Sequence, residues 1–203
     1  MKKNKPLIIG ITGGIGSGKS VVCRIFKSLG IPVYDSDSRA KWLMRHSKEL
    51  INEIKKSFGE NAYLPDGQIN NKYLAENVFH DKEKLRLLSS LTHPAVGKDF
   101  QNWVEKNQSQ KYLLKEAALI FEAGIYKTLD KTILVTAPQE IKIDRVLKRD
   151  PHRDKAQVLA IMDKQMSDEE KVPLANYLIL NDDTQMVLPQ VLKLHKEFNK
   201  QEV

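Results

Sequence analysis

The chain has 203 residues, a single cysteine, and 33 Lys and Arg against 26 Asp and Glu, for a formal net charge of +7. That length suits one domain, alone or with an inserted subdomain, whose core needs no disulfide framework. No apolar stretch reaches membrane-spanning length and no signal-type run follows Met1–Pro6, so we expect a cytoplasmic protein without a membrane partner. Because its basic residues are scattered, we expect small anionic ligands and no nucleic-acid partner.

The N-terminal 30 residues carry the most specific motif of the chain. Residues 7–12, LIIGIT, are a short apolar run that predicts a buried parallel strand. Residues 13–20, GGIGSGKS, match the pattern G-x-x-x-x-G-K-[ST] in full. A helical face follows at i, i+3, i+4 and i+7, formed by Val22, Ile25, Phe26 and Leu29. Strand, glycine loop and helix in this order predict a phosphate-binding loop.

The residue types of this loop indicate how it would bind a nucleotide. Glycines allow a tight turn whose backbone N–H groups surround an anion, and the helix that begins near Gly18 adds the positive end of its dipole. Lys19 can reach the β- and γ-phosphates, while the Ser20 hydroxyl can bind Mg²⁺. The sequence therefore predicts binding of a nucleoside triphosphate with magnesium.

The middle of the chain is predicted to be helical. Gly30 ends the first helix, and residues 31–35 predict a second strand. Helical spacing from Ser38 to Phe58 predicts one helix that stops at Gly59, and residues 64–67 predict a turn. Helical spacing resumes at Leu74 and continues to Val104, with a helix junction expected at residues 93–94. We interpret this stretch as an inserted subdomain.

The second half returns to alternating strands and helices. Residues 112–116, 132–136 and 177–180 predict strands, residues 139–148 predict a helix ended by Pro151, and apolar spacing from Val187 to Phe198 predicts a closing helix. Such alternation is typical of an α/β protein with a parallel sheet covered on both faces.

Asp35 and Asp37 follow the second predicted strand. Ligands of open parallel sheets lie outside the carboxyl ends of the strands, so a carboxylate here can accept a proton from a hydroxyl acceptor or help to hold Mg²⁺. The alternative is a helix N-cap, since Asp and Ser are both good capping residues. Spacing alone does not favour one aspartate over the other.

Three arginines, Arg145, Arg149 and Arg153, lie around the break at Pro151. Arginine can stabilise the charge that develops in phosphoryl transfer, and a loop carrying arginines can close over ATP. The alternative is a solvated basic helix. Two weaker candidates are His93, as a substrate contact or a packing residue, and Glu122, as a surface charge or an indirect ligand; Trp42, Trp103 and Cys23 are expected to pack.

Several segments together resemble the dephospho-CoA kinase family over nearly the whole chain. The matching residues are 12–20, 30–37, 66–69, 74–75, 78–79, 93–96, 119–122, 145–150, 165 and 175–181. The phosphate loop occurs in many families, whereas the ordered combination of Asp-x-Asp, His-Pro-x-Val and Phe-Glu is far more specific. The resemblance implies transfer of the γ-phosphate of ATP to the ribose 3′-hydroxyl of dephospho-CoA.

The resemblance also implies an architecture and residue roles. The expected fold is a three-layer P-loop fold similar to nucleoside monophosphate kinases: a five-stranded core (about 1–37, 110–140 and 174–203), a helical CoA-binding insert (about 38–109) and a lid (about 141–173). Asp37, Lys19 and Arg145 would be catalytic, Ser20 would bind Mg²⁺, and substrate would contact Asp35, Asp37, His93 and Glu122. ATP would contact Gly14, Ile15, Gly16, Ser17, Gly18, Lys19, Ser20, Val21, Arg149 and Asn181.

The chain departs from the family pattern at a few positions. Glu116 and Ala118 stand where Asp and Pro are usual, Gly97 replaces a basic residue, and Asn71 replaces an Arg. These departures concern the acceptor contacts rather than the ATP loop. A nucleoside or nucleotide monophosphate kinase is the runner-up hypothesis, and a nucleotide-dependent switch or nucleic-acid-binding P-loop module is the alternative outside enzymes. A hydroxyl acceptor is favoured because Asp35 and Asp37 provide a carboxylate base that a phosphate acceptor does not need.

Overall fold

The computed structural model describes residues 5–79 and 81–200, so most of the Met1–Pro6 segment lies outside the described residues. The chain divides into two compact units. The sheet unit comprises Met1–Asp35 and Asn107–Val203, and the helical unit comprises Ser36–Lys106. Within the described ranges, no helix has the length and apolar character needed to cross a membrane.

The sheet unit contains a five-stranded, all-parallel sheet in the order β2-β3-β1-β4-β5. The strands are β1 (Leu7–Thr12), β2 (Val33–Asp35), β3 (Tyr112–Glu116), β4 (Lys131–Thr136) and β5 (Tyr177–Leu180). β1 is apolar up to Thr12, and β3 and β4 contribute the buried residues Leu113, Leu114, Ile133 and Leu134, as expected for a parallel sheet with helices on both faces. The predicted fold class is therefore confirmed.

The described residues form nine α-helices, five of them in the sheet unit. They are α1 (Lys19–Ser28), α2 (Ser36–His46), α3 (Lys48–Phe58), α4 (Asn71–Phe79), α5 (Lys82–Lys106), α6 (Gln139–Arg149), α7 (Lys155–Met162), α8 (Asp168–Lys171) and α9 (Val187–Lys200). Short 3-10 turns occur at Glu60–Ala62, Ile125–Thr128 and Val172–Leu174. The main core packs α1 and α9 on one face of the sheet, through Val22, Phe26, Val191 and Phe198, all fully buried.

The sequence analysis missed α7 and α8. Both helices begin with a capping box, in which Asp154 and Gln157, and then Ser167 and Glu170, exchange side-chain and backbone hydrogen bonds. These S/D-x-x-E/Q spacings are the signal that could have located the helices. The helices are short and α7 carries little one-sided apolar spacing, which is why periodicity did not reveal them.

The prediction of a single helix from Ser38 to Phe58 is wrong, because the helix is interrupted at Ser47. Ser47 has an extended backbone, and its hydroxyl accepts a hydrogen bond from the Leu50 N–H at 3.4 Å, so it begins α3 as an N-cap. His46 Nδ1 donates to the Trp42 carbonyl at 2.8 Å at the end of α2. Apolar spacing continues across the break since both helices contribute to one core, with Leu43, Leu50, Ile54 and Phe58 buried.

The predicted helix junction at His93–Pro94 is also wrong, because α5 runs through Pro94 without interruption. A proline inside a helix removes one N–H donor, here the one that would pair with the Ser90 carbonyl. Ser90 and Pro94 are exposed, so water can satisfy that carbonyl. Nearby, Thr92 donates its hydroxyl hydrogen to the Leu88 carbonyl at 2.8 Å. His93 is therefore an exposed residue of a continuous helix.

Candidate active site

The phosphate loop, residues 13–20, connects β1 to α1 at the centre of the sheet. β1 is the central strand of the sheet, with β3 and then β2 on one side and β4 and then β5 on the other. The strand order therefore changes direction at β1. Open parallel sheets bind ligands outside the carboxyl ends of their strands at such a point. The loop therefore lies where the topology favours a ligand.

Two glycines of the loop adopt backbone conformations that other residues rarely adopt. Gly16 has φ 79° and Gly18 has φ 86°. A Cβ atom at Gly16 would overlap the Lys142 backbone, and one at Gly18 would overlap the Asn181 side chain. The loop therefore packs directly against α6 and against the residue that follows β5.

Lys19, the lysine of the motif, is the first residue of α1. Its Nζ lies 2.8 Å from Glu116 Oε1 at the carboxyl end of β3, and both side chains are largely buried. Sequence reasoning noticed Glu116 only as a departure and missed this contact. The next residues, Ser20 and Val21, are exposed on the first turn of α1. The Ser20 hydroxyl is thus accessible to a metal ion.

The two candidate aspartates belong to different elements. Asp35 is the last residue of β2 and lies in register with Glu116 of β3 in the same sheet. Asp37 lies in the first turn of α2, within the helical unit. The structure therefore brings Asp35 to the carboxyl edge that also carries Lys19 and Glu116.

Arg145 and Asn181 lie against the phosphate loop. Asn181 Nδ2 donates to the Ser17 carbonyl at 2.9 Å, and Arg145 Nη2 donates to Asn181 Oδ1 at 3.3 Å and to Asp183 Oδ1 at 2.5 Å. Arg145 Nη1 is buried and has no hydrogen-bond partner among the described residues. This guanidinium group therefore retains donor capacity next to the loop.

The other two arginines form an ion-pair group with Asp150. Arg149 donates to both carboxylate oxygens of Asp150, at 3.0 and 2.9 Å, and Arg153 Nε lies 3.3 Å from the same residue. The hydrogen bond from Arg149 holds the pKa of Asp150 below its usual range. The Arg149 side chain is 61% exposed, so its guanidinium is accessible to a ligand.

Residues 165–171, which we name the strap, contact the phosphate loop. Gln165 Oε1 accepts a hydrogen bond from the Ile15 N–H at 3.0 Å. Asp168 accepts from the Thr136 hydroxyl and pairs with Lys142 Nζ at 2.8 Å, with both charged groups largely buried. Lys142 was missed from the sequence, although it precedes Arg145 by three residues on the same helix.

Glu122 connects the strap to the segment after β3. Its Oε1 accepts from the Met166 N–H at 3.1 Å and lies 2.9 Å from Nζ of the fully buried Lys171. A cavity of about 560 Å³ lies between the strap, the start of α6 and the loop residues Gly14 and Ile15. The strap thus borders an open space beside the phosphate loop.

The sheet, the glycine loop, its lysine and its accessible serine together define a P-loop nucleotide-binding protein of the α/β class. A comparison with protein families gives the particular group: the family model described as dephospho-CoA kinase matches residues 7–186. The chain belongs to the dephospho-CoA kinase family, as the resemblance predicted. This family catalyses ATP-dependent phosphorylation of dephospho-CoA in the last step of coenzyme A biosynthesis.

Individual relatives agree with the family model. A dephospho-CoA kinase from Chlorobaculum tepidum is 38% identical over 190 residues, which cover 91% of this chain and 90% of the relative. A dephospho-CoA kinase from Aquifex aeolicus is also 38% identical, over 194 residues, which cover 95% of this chain and 97% of the relative.

Solved structures support the fold. A Thermus thermophilus crystal structure superposes with a TM-score of 0.86 at 33% identity and covers 98% of this chain and 100% of its own. A dephospho-CoA kinase from Campylobacter jejuni gives 0.71 at 28% identity, covering 95% and 97%. A shikimate kinase from Acinetobacter baumannii, with a TM-score of 0.51 at 19% identity over 97% and 96%, shares the fold alone.

Proposed function

We propose that this chain transfers the γ-phosphoryl group of ATP to the ribose 3′-hydroxyl of dephospho-CoA, in the cytoplasm, giving coenzyme A and ADP. The observation that carries the proposal is the complete phosphate loop with its lysine and a neighbouring arginine, in a chain of the dephospho-CoA kinase family. Catalysis would come mainly from positioning and charge neutralisation, since phosphoryl transfer asks for little covalent chemistry from the protein.

The loop residues Gly14 to Val21 would hold the ATP phosphates. Backbone N–H groups and the N-terminus of α1 offer positive partial charge to the phosphates. Lys19 Nζ lies 2.8 Å from Glu116 Oε1, and its flexible side chain can also reach the β- and γ-phosphates. Glu116 therefore keeps the Lys19 side chain on the carboxyl side of the sheet, next to the loop.

The donor set beside the loop fits Mg²⁺. The Ser20 hydroxyl is accessible and Glu116 supplies a carboxylate at the adjacent strand end, and magnesium prefers such oxygen ligands together with water and phosphate. Mg²⁺ bound there would neutralise charge on the phosphates. Ser20 is the proposed direct ligand.

Arg145 and Arg149 are the proposed contacts of the lid with ATP. Arg145 has an unused buried donor beside the loop, and Arg149 is exposed and reaches only the adjacent Asp150 in the contacts described above. A planar guanidinium can bind two phosphate oxygens at once. Asn181, which joins Arg145 to the Ser17 carbonyl, is the proposed residue near the adenine.

Asp37 is the proposed acid–base residue for the attacking hydroxyl. A hydroxyl acceptor must lose its proton during transfer, and a positioned carboxylate can accept it. Support for Asp37 over Asp35 comes from the Asp-x-Asp match to the family pattern. Asp35, His93 and Glu122 were also predicted to contact substrate; Glu122 is engaged by Met166 and Lys171, so it would act indirectly.

The test of the proposal is an ADP-release assay with ATP, Mg²⁺ and a panel of acceptors. Dephospho-CoA should give ADP and a product heavier by one phosphate, whereas nucleoside monophosphates and shikimate should give none. Phosphorylation of a nucleoside monophosphate in preference to dephospho-CoA would favour the monophosphate kinase hypothesis instead. Mass fragmentation of the product locates the new phosphate on the ribose.

A further inference from the structure

The ion pair between Lys171 and Glu122 is the most deeply buried charged contact described in the sheet unit. The Lys171 side chain is 0% exposed, and that of Glu122 is 17% exposed. Glu122 follows the buried residues Ile120 and Phe121, which fix its backbone against the core. Lys171 is the last residue of α8 and of the strap.

This pair does not suit a purely stabilising role. Lys171 Nζ lies 2.9 Å from Oε1 but off a hydrogen-bond direction, and Glu122 Oε2 is buried; neither atom has a hydrogen-bond partner among the described residues. Burying two charges costs free energy that such a contact only partly offsets. A buried pair does restrict its two residues to one relative position, because separating them would leave each charge buried and unpaired.

The position that the pair fixes is that of the strap relative to the phosphate loop. Glu122 Oε1 also accepts the Met166 N–H at 3.1 Å, so Glu122 contacts both ends of the strap. Met166 directly follows Gln165, whose Oε1 accepts the Ile15 N–H of the loop at 3.0 Å. The chain of contacts therefore runs from Lys171 through Glu122 and Gln165 to a backbone amide of the loop.

We infer that Glu122 and Lys171 are positioning residues, which hold the strap so that Gln165 fixes the Ile15 amide and so sets the affinity of the loop for phosphates. The inference rests on the proposed function in that ATP is the ligand of the loop. It does not depend on which acceptor receives the phosphoryl group. Neither residue touches the reacting atoms.

The central experiment removes both charges at once with the double variant Glu122→Gln/Lys171→Met, which leaves no unpaired buried charge. We expect the dissociation constant and KM for ATP to rise about three- to tenfold, as for loss of one or two hydrogen bonds. The dissociation constant is measured without acceptor, so a contact between Glu122 and the acceptor does not affect it. Hydrogen exchange at the Ile15 amide should accelerate.

Gln165→Ala shows whether the pair acts through Gln165. This variant should reproduce the rise in the ATP dissociation constant, and adding it to the double variant should change little further. Independent, multiplicative effects, or unchanged exchange at Ile15, would overturn the inference. If the double variant does not fold, an unchanged ATP dissociation constant in Gln165→Ala still overturns the inference, because the pair is argued to act through Gln165.

The matched control is Asp144→Asn/Lys148→Met, which removes an exposed ion pair of 2.8 Å on α6. Exposed pairs contribute little, so ATP binding should not change. Binding is measured directly by titration with ATP and Mg²⁺ in the absence of acceptor. Inactivity of the parent protein towards dephospho-CoA would therefore reject the proposed function without affecting this test.

Discussion

The phosphate loop and the strap lie side by side in the sheet unit but are built in opposite ways. The loop is eight consecutive residues whose function depends on backbone conformation, with two glycines at positive φ. The strap is held by side chains that meet partners far away in the chain: Gln165 meets Ile15, and Glu122 meets Met166.

This difference separates the residues that bind the phosphates from the residues that hold the phosphate loop in place. A local motif carries its N–H groups and its lysine in one contiguous segment. Distant contacts can instead decide how rigid the motif is and what covers it. We therefore expect substitutions in local motifs to affect turnover strongly, and substitutions in the strap to affect ATP affinity moderately.

The largest effect is expected for Asp37→Asn, in the second local motif. If Asp37 accepts the proton of the hydroxyl acceptor, turnover with dephospho-CoA should fall about 10²- to 10⁴-fold while ATP binding is preserved. Steady-state kinetics and ATP titration measure the two quantities. Near-normal turnover would exclude Asp37 as the base, and a larger loss in Asp35→Asn would assign the role there. Asp66→Asn, in an exposed turn, is the control.

Lys19→Ala should follow, with a loss of turnover of about 10²- to 10³-fold, as expected for removal of one charge-stabilising donor. The substitution also leaves Glu116 without the lysine at 2.8 Å, so we expect weaker binding of ATP as well. The control is Lys27→Ala, an exposed residue of the same helix. Equal kinetics for the Lys19 and Lys27 variants would contradict the role assigned to the loop.

The same contrast explains what could be predicted from the sequence. The five strands and the phosphate loop were predicted because each rests on local apolar runs or on a contiguous motif. The helix break at Ser47 was missed because a single capping residue outweighed continuous apolar spacing. The unbroken helix through Pro94 was missed because an exposed carbonyl tolerates the loss of one donor.

The strap contacts had no such local signal. Lys142 and Asp168 are 26 residues apart, and Ile15 and Gln165 are 150 apart. A charged residue that pairs at a distance looks the same in a sequence as one that faces water. The resemblance brought Gln165 to attention, but only the structure shows that it meets a loop amide.

Two glycine substitutions, one in the phosphate loop and one outside it, are expected to have effects of intermediate size. Gly16→Ala places a Cβ at φ 79° against the Lys142 backbone, so we expect destabilisation of roughly 1–3 kcal/mol and weaker ATP binding. Gly97→Ala puts a Cβ into open space on α5 and should stabilise by about 0.5–1 kcal/mol. Thermal unfolding and ATP titration measure both; a neutral Gly16→Ala would mean that the loop is not conformationally constrained.

The smallest expected effect concerns Cys23, which lies one turn after Lys19 in α1. Burial, with a further contribution from Glu116, raises the pKa of its thiol. The unfolded thiol ionises near pH 8.5 whereas the folded one stays protonated, so folding stability is unaffected below that pH and declines above it. Cys23→Ala should therefore lose stability less steeply than the parent between pH 8.5 and about 10. Urea unfolding at several pH values measures how steeply each protein loses stability. The same pH dependence in both proteins, or rapid reaction of the native thiol with an alkylating reagent, would show that the core behind the phosphate loop opens readily. The loop would then be supported less rigidly than its packing indicates.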